Sequence, residues 1–149
     1  MDIRGFEVIS SFEEKNINLP QRKTSESAGY DIECGESVTI QPGEVRLVAT
    51  GVKAFMNYDE YLAIHIRSSI AIKRHLMLAN CTGIIDSDYY NNEENEGHIL
   101  IGLYNLGSEA VSLDKGERVA QGIFSKYLLT NEDDAQGIRK GGIGSTGNK

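Results

Sequence analysis

Apolar residues in this chain recur at every second position, and turn-forming residues break them into short runs. In EYLAIHIR (60–67), Leu62, Ile64 and Ile66 fall on one face, which is the period of a strand. HILIGLYNL (98–106) is apolar on both faces and predicts a strand buried on two sides. RVAQGIFSKYLL (118–129) predicts another strand, and EVRLVATGVKAF (44–55) predicts one or two. Pro42-Gly43, Asn57–Asp59, Asn105–Ser108 and Lys115-Gly116 supply the intervening turns. Only SSIAIKRH (68–75) suits a helix, and a short one. The pattern predicts an all-β chain, a barrel or a sandwich.

Length and charge narrow the class. The 149 residues suit one domain with a real core, without staples. Cys34 and Cys81 stand far apart, and His65, His75 and His98 are scattered, so neither a disulfide framework nor a zinc site is expected. A net charge of -7 argues against a nucleic-acid partner. No apolar run is long enough for a membrane span, and the start MDIRGFEVIS lacks signal-peptide features, so the expectation is a soluble, cytoplasmic protein. Residues 1–130 are expected to form the β-barrel domain, with polar residues 10–28 wrapping its surface. Residues 131–149, rich in Gly and charge, are expected to form a flexible C-terminal arm.

Five short stretches combine chemistry-bearing residues. NCTGIIDSDYY (80–90) places Asp86 and Asp88 one residue apart and follows them with two tyrosines. IRSSIA (66–71) offers a guanidinium and two hydroxyls at the start of the short helix, although Ser68 as a plain helix cap accounts for it equally. GERVAQ (116–121) carries Gln121 and SAGYDI (27–32) carries Asp31, and each also reads as an ordinary turn. GGIGSTG (141–147) has glycines that open backbone N–H groups to phosphate, with Arg139 and Lys140 upstream, unless it is only a loose terminus.

Taken in order, AGYDI, RSSIA, NCTGIIDSDY, GERVAQ and RKGGIGSTG resemble the five motifs of the homotrimeric dUTP diphosphatases (dUTPases), over residues 19 to 147. The resemblance implies a jelly-roll-like subunit with one short helix. It also implies a homotrimer whose sites draw motifs one, two and four from one chain, the third from a second chain, and the fifth from the arm of the third. The implied reaction is hydrolysis of dUTP to dUMP and diphosphate with Mg²⁺ on the triphosphate. Asp86 matches the general base, and Asp31 the acid that holds hydrated Mg²⁺ through water. Arg67, Ser68, Ser69 and Gln121 match phosphate contacts. Asn80, Gly83, Ile84 and Ile85 match the uracil-reading hairpin, and Tyr89 the residue beneath deoxyribose. Arg139, Ile143, Gly144, Ser145 and Thr146 match the lid, with Ile143 where the family usually carries an aromatic. Tyr90 or Phe124 is a candidate substitute for that aromatic, and Asp88 is expected to pair with Arg118. The hairpin continues through YNNEENEG (90–97), longer and more acidic than in the family. This loop is either a solvated tip or a surface for a regulatory protein partner. Two other functions stay open: a dUTPase-like nucleotide-gated regulator, and dCTP deaminase on the same fold.

Overall fold

A computed structural model describes residues 3–144 and 146–148. In chain order the strands are β1 (Gly5–Val8), β2 (Tyr30–Glu33), β3 (Val38–Ile40), β4 (Val45–Ala49), β5 (Val52–Phe55) and β6 (Glu60–Ile66). Helix α1 (Ser68–Arg74) follows, then β7 (Leu76–Leu78), β8 (Gly83–Asp86), β9 (Leu100–Asn105), β10 (Val111–Leu113) and β11 (Arg118–Lys126). Every pairing between these strands is antiparallel. One sheet has the order β2-β11-β6-β8 and another β4-β9-β7, while β1-β5 and β10-β3 form two-stranded ribbons. Side chains from all four meet in one core, including Ile32, Ile40, Val48, Val52, Leu62, Leu103, Leu113 and Val119. Among the described residues the result is a jelly-roll-like, mostly β fold with one short α-helix. Among the described residues, no helix is long and apolar enough to cross a membrane.

Local chemistry sets these boundaries. The run 44–55 is two strands because Gly51 turns at φ 78, a left-handed conformation that a side chain would strain. Helix α1 ends where His75 enters the left-handed region at φ 57, with Lys73 and Arg74 in its last turn. Its N-cap position is Arg67, with no side-chain cap, so Ser68 is not the capping residue.

Two expectations need correction. Strand β9 has one fully buried face, Ile101, Leu103 and Asn105, and one half-buried face, Leu100, Gly102 and Tyr104. The buried Asn105 is tolerated because its amide donates to the Ile40 and Glu109 carbonyls and accepts from Gly107 N–H. Residues 10–28 do more than wrap the surface: Phe12 is buried, and its ring packs 5.1 Å from that of His98.

Candidate functional site

The first and fourth motifs meet because β2 and β11 pair side by side, with Asp31 opposite Gln121. A side chain on Gly29 would run into the Gln121 amide, so glycine there keeps Gln121 in place. Arg118 Nη1 donates to Asp31 Oδ2 at 2.9 Å, and Arg67 Nε lies 4.0 Å from Asp31 Oδ1. Arg67 is itself oriented by donating from Nη1 to the Arg118 carbonyl at 3.0 Å. Arg67, Ser69, Lys73, Arg74 and Arg118 line a cavity of about 410 Å³, and Ser68 is exposed beside it. Two guanidiniums around one carboxylate leave positive charge for an anion. Arg118 therefore belongs to Asp31, not to Asp88. Strand pairing across the chain decides this, and spacing along it does not show it.

The third motif, expected as a hairpin, is a turn at 80–82 that leads from β7 in one sheet into β8, the edge strand of another, so the two strands of this hairpin segment do not pair with each other. An edge strand leaves backbone N–H and C=O groups open, which is what reading a base edge requires. Cys81 turns the hairpin at φ 64, and a side chain on Gly83 would press on Ile64 at 3.1 Å. Asn80, Gly83, Ile84, Ile85, Asp86 and Tyr89 line one side of a cavity of about 400 Å³, closed by Leu47 and Gly102 opposite. The half-buried Tyr89 donates its hydroxyl to the His98 carbonyl at 2.5 Å. Burial pushes the Tyr89 phenol up from its ordinary value, against lowering by Asn95 and Arg139.

The arm returns to this same cavity, where Arg139, Gly142 and Ile143 form part of its wall. Arg139 Nη2 meets Asp86 Oδ2 at 2.5 Å and Nε meets Asp88 Oδ1 at 2.7 Å. The guanidinium also lies 5.9 Å from the centre of the Tyr89 ring. Asp88 thus pairs with the arm. Within this single chain the arm lies on its own hairpin, whereas the resemblance implies delivery to other chains. Ile143 is 80% exposed and Gly144 adopts φ 76; Thr146 is exposed, and Ser145 lies outside the described residues. Neither candidate aromatic covers the cavity. Tyr90 bonds Glu7 and packs on Phe55, and Phe124 packs between Phe6 and Tyr30.

The hairpin and the anion cluster do not meet within one chain. Asp86 lies opposite Tyr61 at one end of β6, and Arg67 follows the other end. Six residues of strand at about 3.3 Å each separate them by roughly 20 Å. Among the described residues, no three His, Cys, Asp or Glu side chains gather as a metal cage. Asp31 is one carboxylate held against Arg118 and Arg67, which line the anion cavity. That donor set fits an ion brought by a polyphosphate and touched through water.

The 90–97 loop is not a loose tip. Asn92 is buried, and its side chain bonds the Tyr89 carbonyl, the Asn95 side chain and the amides of Glu94 and Asn95. Lys53 Nζ holds the loop's ends through Asn91 at 2.6 Å and Glu96 at 2.7 Å. That bond to Glu96, foremost, keeps its carboxyl below the usual carboxylate range. Charge and Asn content read 90–97 as a solvated tip or a partner surface, and neither shows that Asn92 turns inward to bind its neighbours.

A model of the dUTPase family matches residues 15–147. A deoxyuridine 5'-triphosphate nucleotidohydrolase of Lactococcus lactis is 48% identical over 149 residues, 99% of each chain. The crystal structure of a dUTPase from Streptococcus mutans superposes with a TM-score of 0.82 at 46% identity, covering 85% of this chain and 98% of that one. A mutant dUTPase from phage phi11 of S. aureus, described for its coordination of a structural Mg(II) ion, shares the fold at a TM-score of 0.73 and 18% identity, over 92% of this chain and 99% of that one.

Proposed function

The chain belongs to the dUTPase family, and from that premise we propose that it hydrolyses dUTP to dUMP and diphosphate at sites shared between copies of itself in a homotrimer. The observation that carries the reading is the separation of roughly 20 Å between Asp86 and Arg67 along β6. One nucleotide cannot touch both groups of one chain, yet it needs a base reader and a phosphate binder. A hairpin from one copy facing the Asp31–Arg67–Gln121 cluster of another satisfies both.

In this arrangement the edge strand at Ile84 and Ile85, with Asn80, reads uracil. The close walls around Gly83 leave no space for the methyl of thymine. Tyr89 lies beneath deoxyribose and excludes a 2′-hydroxyl. Asp86 orients and deprotonates the water that attacks the α-phosphorus. Arg67, Ser69 and Gln121 hold the phosphates, and Ser68 supports charge on the leaving diphosphate. Mg²⁺, approached by Asp31 through water, would neutralise triphosphate charge. The arm, residues 139–147, closes over the bound nucleotide and limits access of bulk water.

The test is diphosphate release, with Mg²⁺ present, from dUTP, dTTP, dCTP and UTP in parallel. Turnover of dUTP alone is expected, reduced on the order of 10²-fold or more by Asp86→Asn. A folded protein without dUTP turnover overturns the reading, and ammonia released from dCTP would replace it with a deaminase.

A further inference from the structure

The function proposed above leaves unexplained why the hairpin is followed by a longer, tightly bonded loop. That loop touches two parts of the nucleotide site at once. Asn95 Nδ2 donates to the Tyr89 hydroxyl oxygen at 2.9 Å. Its Oδ1 accepts from Asn92 Nδ2 at 2.7 Å and from Gly97 N–H at 3.1 Å. The side chain is therefore held at both ends, which sets the direction of its amide. The Tyr89 hydroxyl gives its own proton to the His98 carbonyl. Its oxygen is consequently an acceptor toward Asn95, and the two bonds together fix the ring.

The same loop is the floor beneath the arm. A side chain on Gly142 would come within 3.1 Å of Asn95 Nδ2 and 3.5 Å of the Tyr89 ring and hydroxyl. A side chain on Gly141 would collide with the Glu94 carboxylate. Glycines stand at these two places because the loop leaves no room for a Cβ. The loop's ends are anchored separately, by Lys53 to Glu96 and Asn91.

We infer that Asn95 is a positioning residue for the sugar pocket: it fixes the Tyr89 ring through its hydroxyl and gives Gly142 its seat, so that the 90–97 loop couples sugar selection to arm closure. The inference rests on the proposed dUTP hydrolysis. It assigns the loop a task inside the nucleotide site rather than on a partner surface.

Asn95→Asp keeps the Oδ1 acceptor and replaces the donor by a second acceptor, so the single Tyr89 proton can serve the carboxylate or the His98 carbonyl but not both, and the ring loses one of its two bonds. The expected result is a rise in KM for dUTP of about three- to tenfold, the value of one neutral hydrogen bond. The preference for dUTP over UTP should fall by a similar factor, with kcat nearly unchanged. In a Tyr89→Phe background, which lacks the hydroxyl, the substitution should have little further effect on that preference. Gly142→Ala, outside every strand, should raise KM in the same range by pushing on Asn95. Calorimetric binding of dUMP and UMP to each variant reads the same discrimination without turnover. Equal losses from Asn95→Asp with and without the Tyr89→Phe substitution, or unchanged discrimination in Asn95→Asp and Gly142→Ala, would overturn the inference while leaving dUTP hydrolysis standing. A wild-type protein that neither cleaves dUTP nor binds dUMP would overturn both.

Discussion

Mixing two inactive chains is expected to restore activity, and by a calculable amount. Arg67→Ala removes the phosphate fork but keeps Asp86. Asp86→Asn removes the base but keeps Arg67. Each variant alone should be depressed on the order of 10²-fold. Suppose a site takes Arg67 from one chain and Asp86 from its neighbour. In an equal mixture the site is intact when the first chain carries Asp86→Asn and the second carries Arg67→Ala. The chance is one half times one half, so about one quarter of wild-type activity per site should return. The strand register gives the number its basis. With Asp86 opposite Tyr61 and Arg67 beyond Ile66, no motion of side chains closes a gap of roughly 20 Å within one copy.

The assay is diphosphate release after co-refolding or co-expression of differently tagged chains, with mixed assemblies normalised to total subunit. A second mixture, wild type with the Arg67→Ala, Asp86→Asn double variant, controls for simple dilution. Shared sites predict about one quarter of wild-type activity there too, whereas sites complete within one chain predict about one half. A complementing mixture no more active than its parents, together with one half in the control, would refute the shared site and the use of β6 as its ruler.

Three further outcomes follow from the structure. Burial pushes the Cys34 thiol up to about 12, whereas Cys81 is exposed, so a disulfide reagent near pH ~8 should titrate one thiol in the native protein and a second only in denaturant. His98 is held below its ordinary 6.5 chiefly by burial, while its Nε2 accepts the Gly51 N–H at 2.9 Å. Its contribution to stability is therefore present above 6.5 and lost as pH falls through the folded value, so the urea midpoint should drop between pH ~7.5 and ~5.5, and His98→Gln should flatten that drop. Arg139→Gln removes a fork onto two half-exposed carboxylates, worth about 1 kcal/mol after discounting for solvent, so hydrogen exchange over residues 139–144 should speed by about fivefold; unchanged exchange would mean that other contacts hold the arm.

Local patterns make β6, β11 and α1 legible, because each is long enough for its period to show. Strands β3, β7 and β10 have three residues apiece, too few for any period, and exist because neighbours supply their hydrogen bonds. The sequence of β9 is apolar on both faces, but only the odd-numbered face is fully buried. How much covers the other face depends on tertiary packing. The site residues of the five motifs are visible as residues, since acids, guanidiniums and glycines in short runs are conspicuous. Their partners are not. Asp88 and Arg118 are candidates for each other by charge alone, yet each answers to a different group: Asp88 to the arm, Arg118 to Asp31. Only the pairing of β2 with β11 and the return of the arm decide that.

The charge layout offers a physical reason for the proposed division of the site between copies. At one end of β6, Arg67, Lys73, Arg74 and Arg118 line a cavity, and Glu117 in its wall together with Asp31, paired with Arg118 and near Arg67, offsets only part of the charge. At the other end, Asp86 lines the second cavity, and Arg139 of the arm bridges it to Asp88. Bringing the hairpin of one copy against the basic cavity of another joins opposite charges, whereas joining like ends would repel. A triphosphate placed between them adds its own negative charge beside Asp86, and the arm's guanidinium is then a nearby cation that can turn from carboxylate to phosphate. Closure of the arm and release of Asp86 for its water would thus be one movement. The loop at Asn95 and Glu94, which floors the glycines just beyond Arg139, would be where that movement is guided.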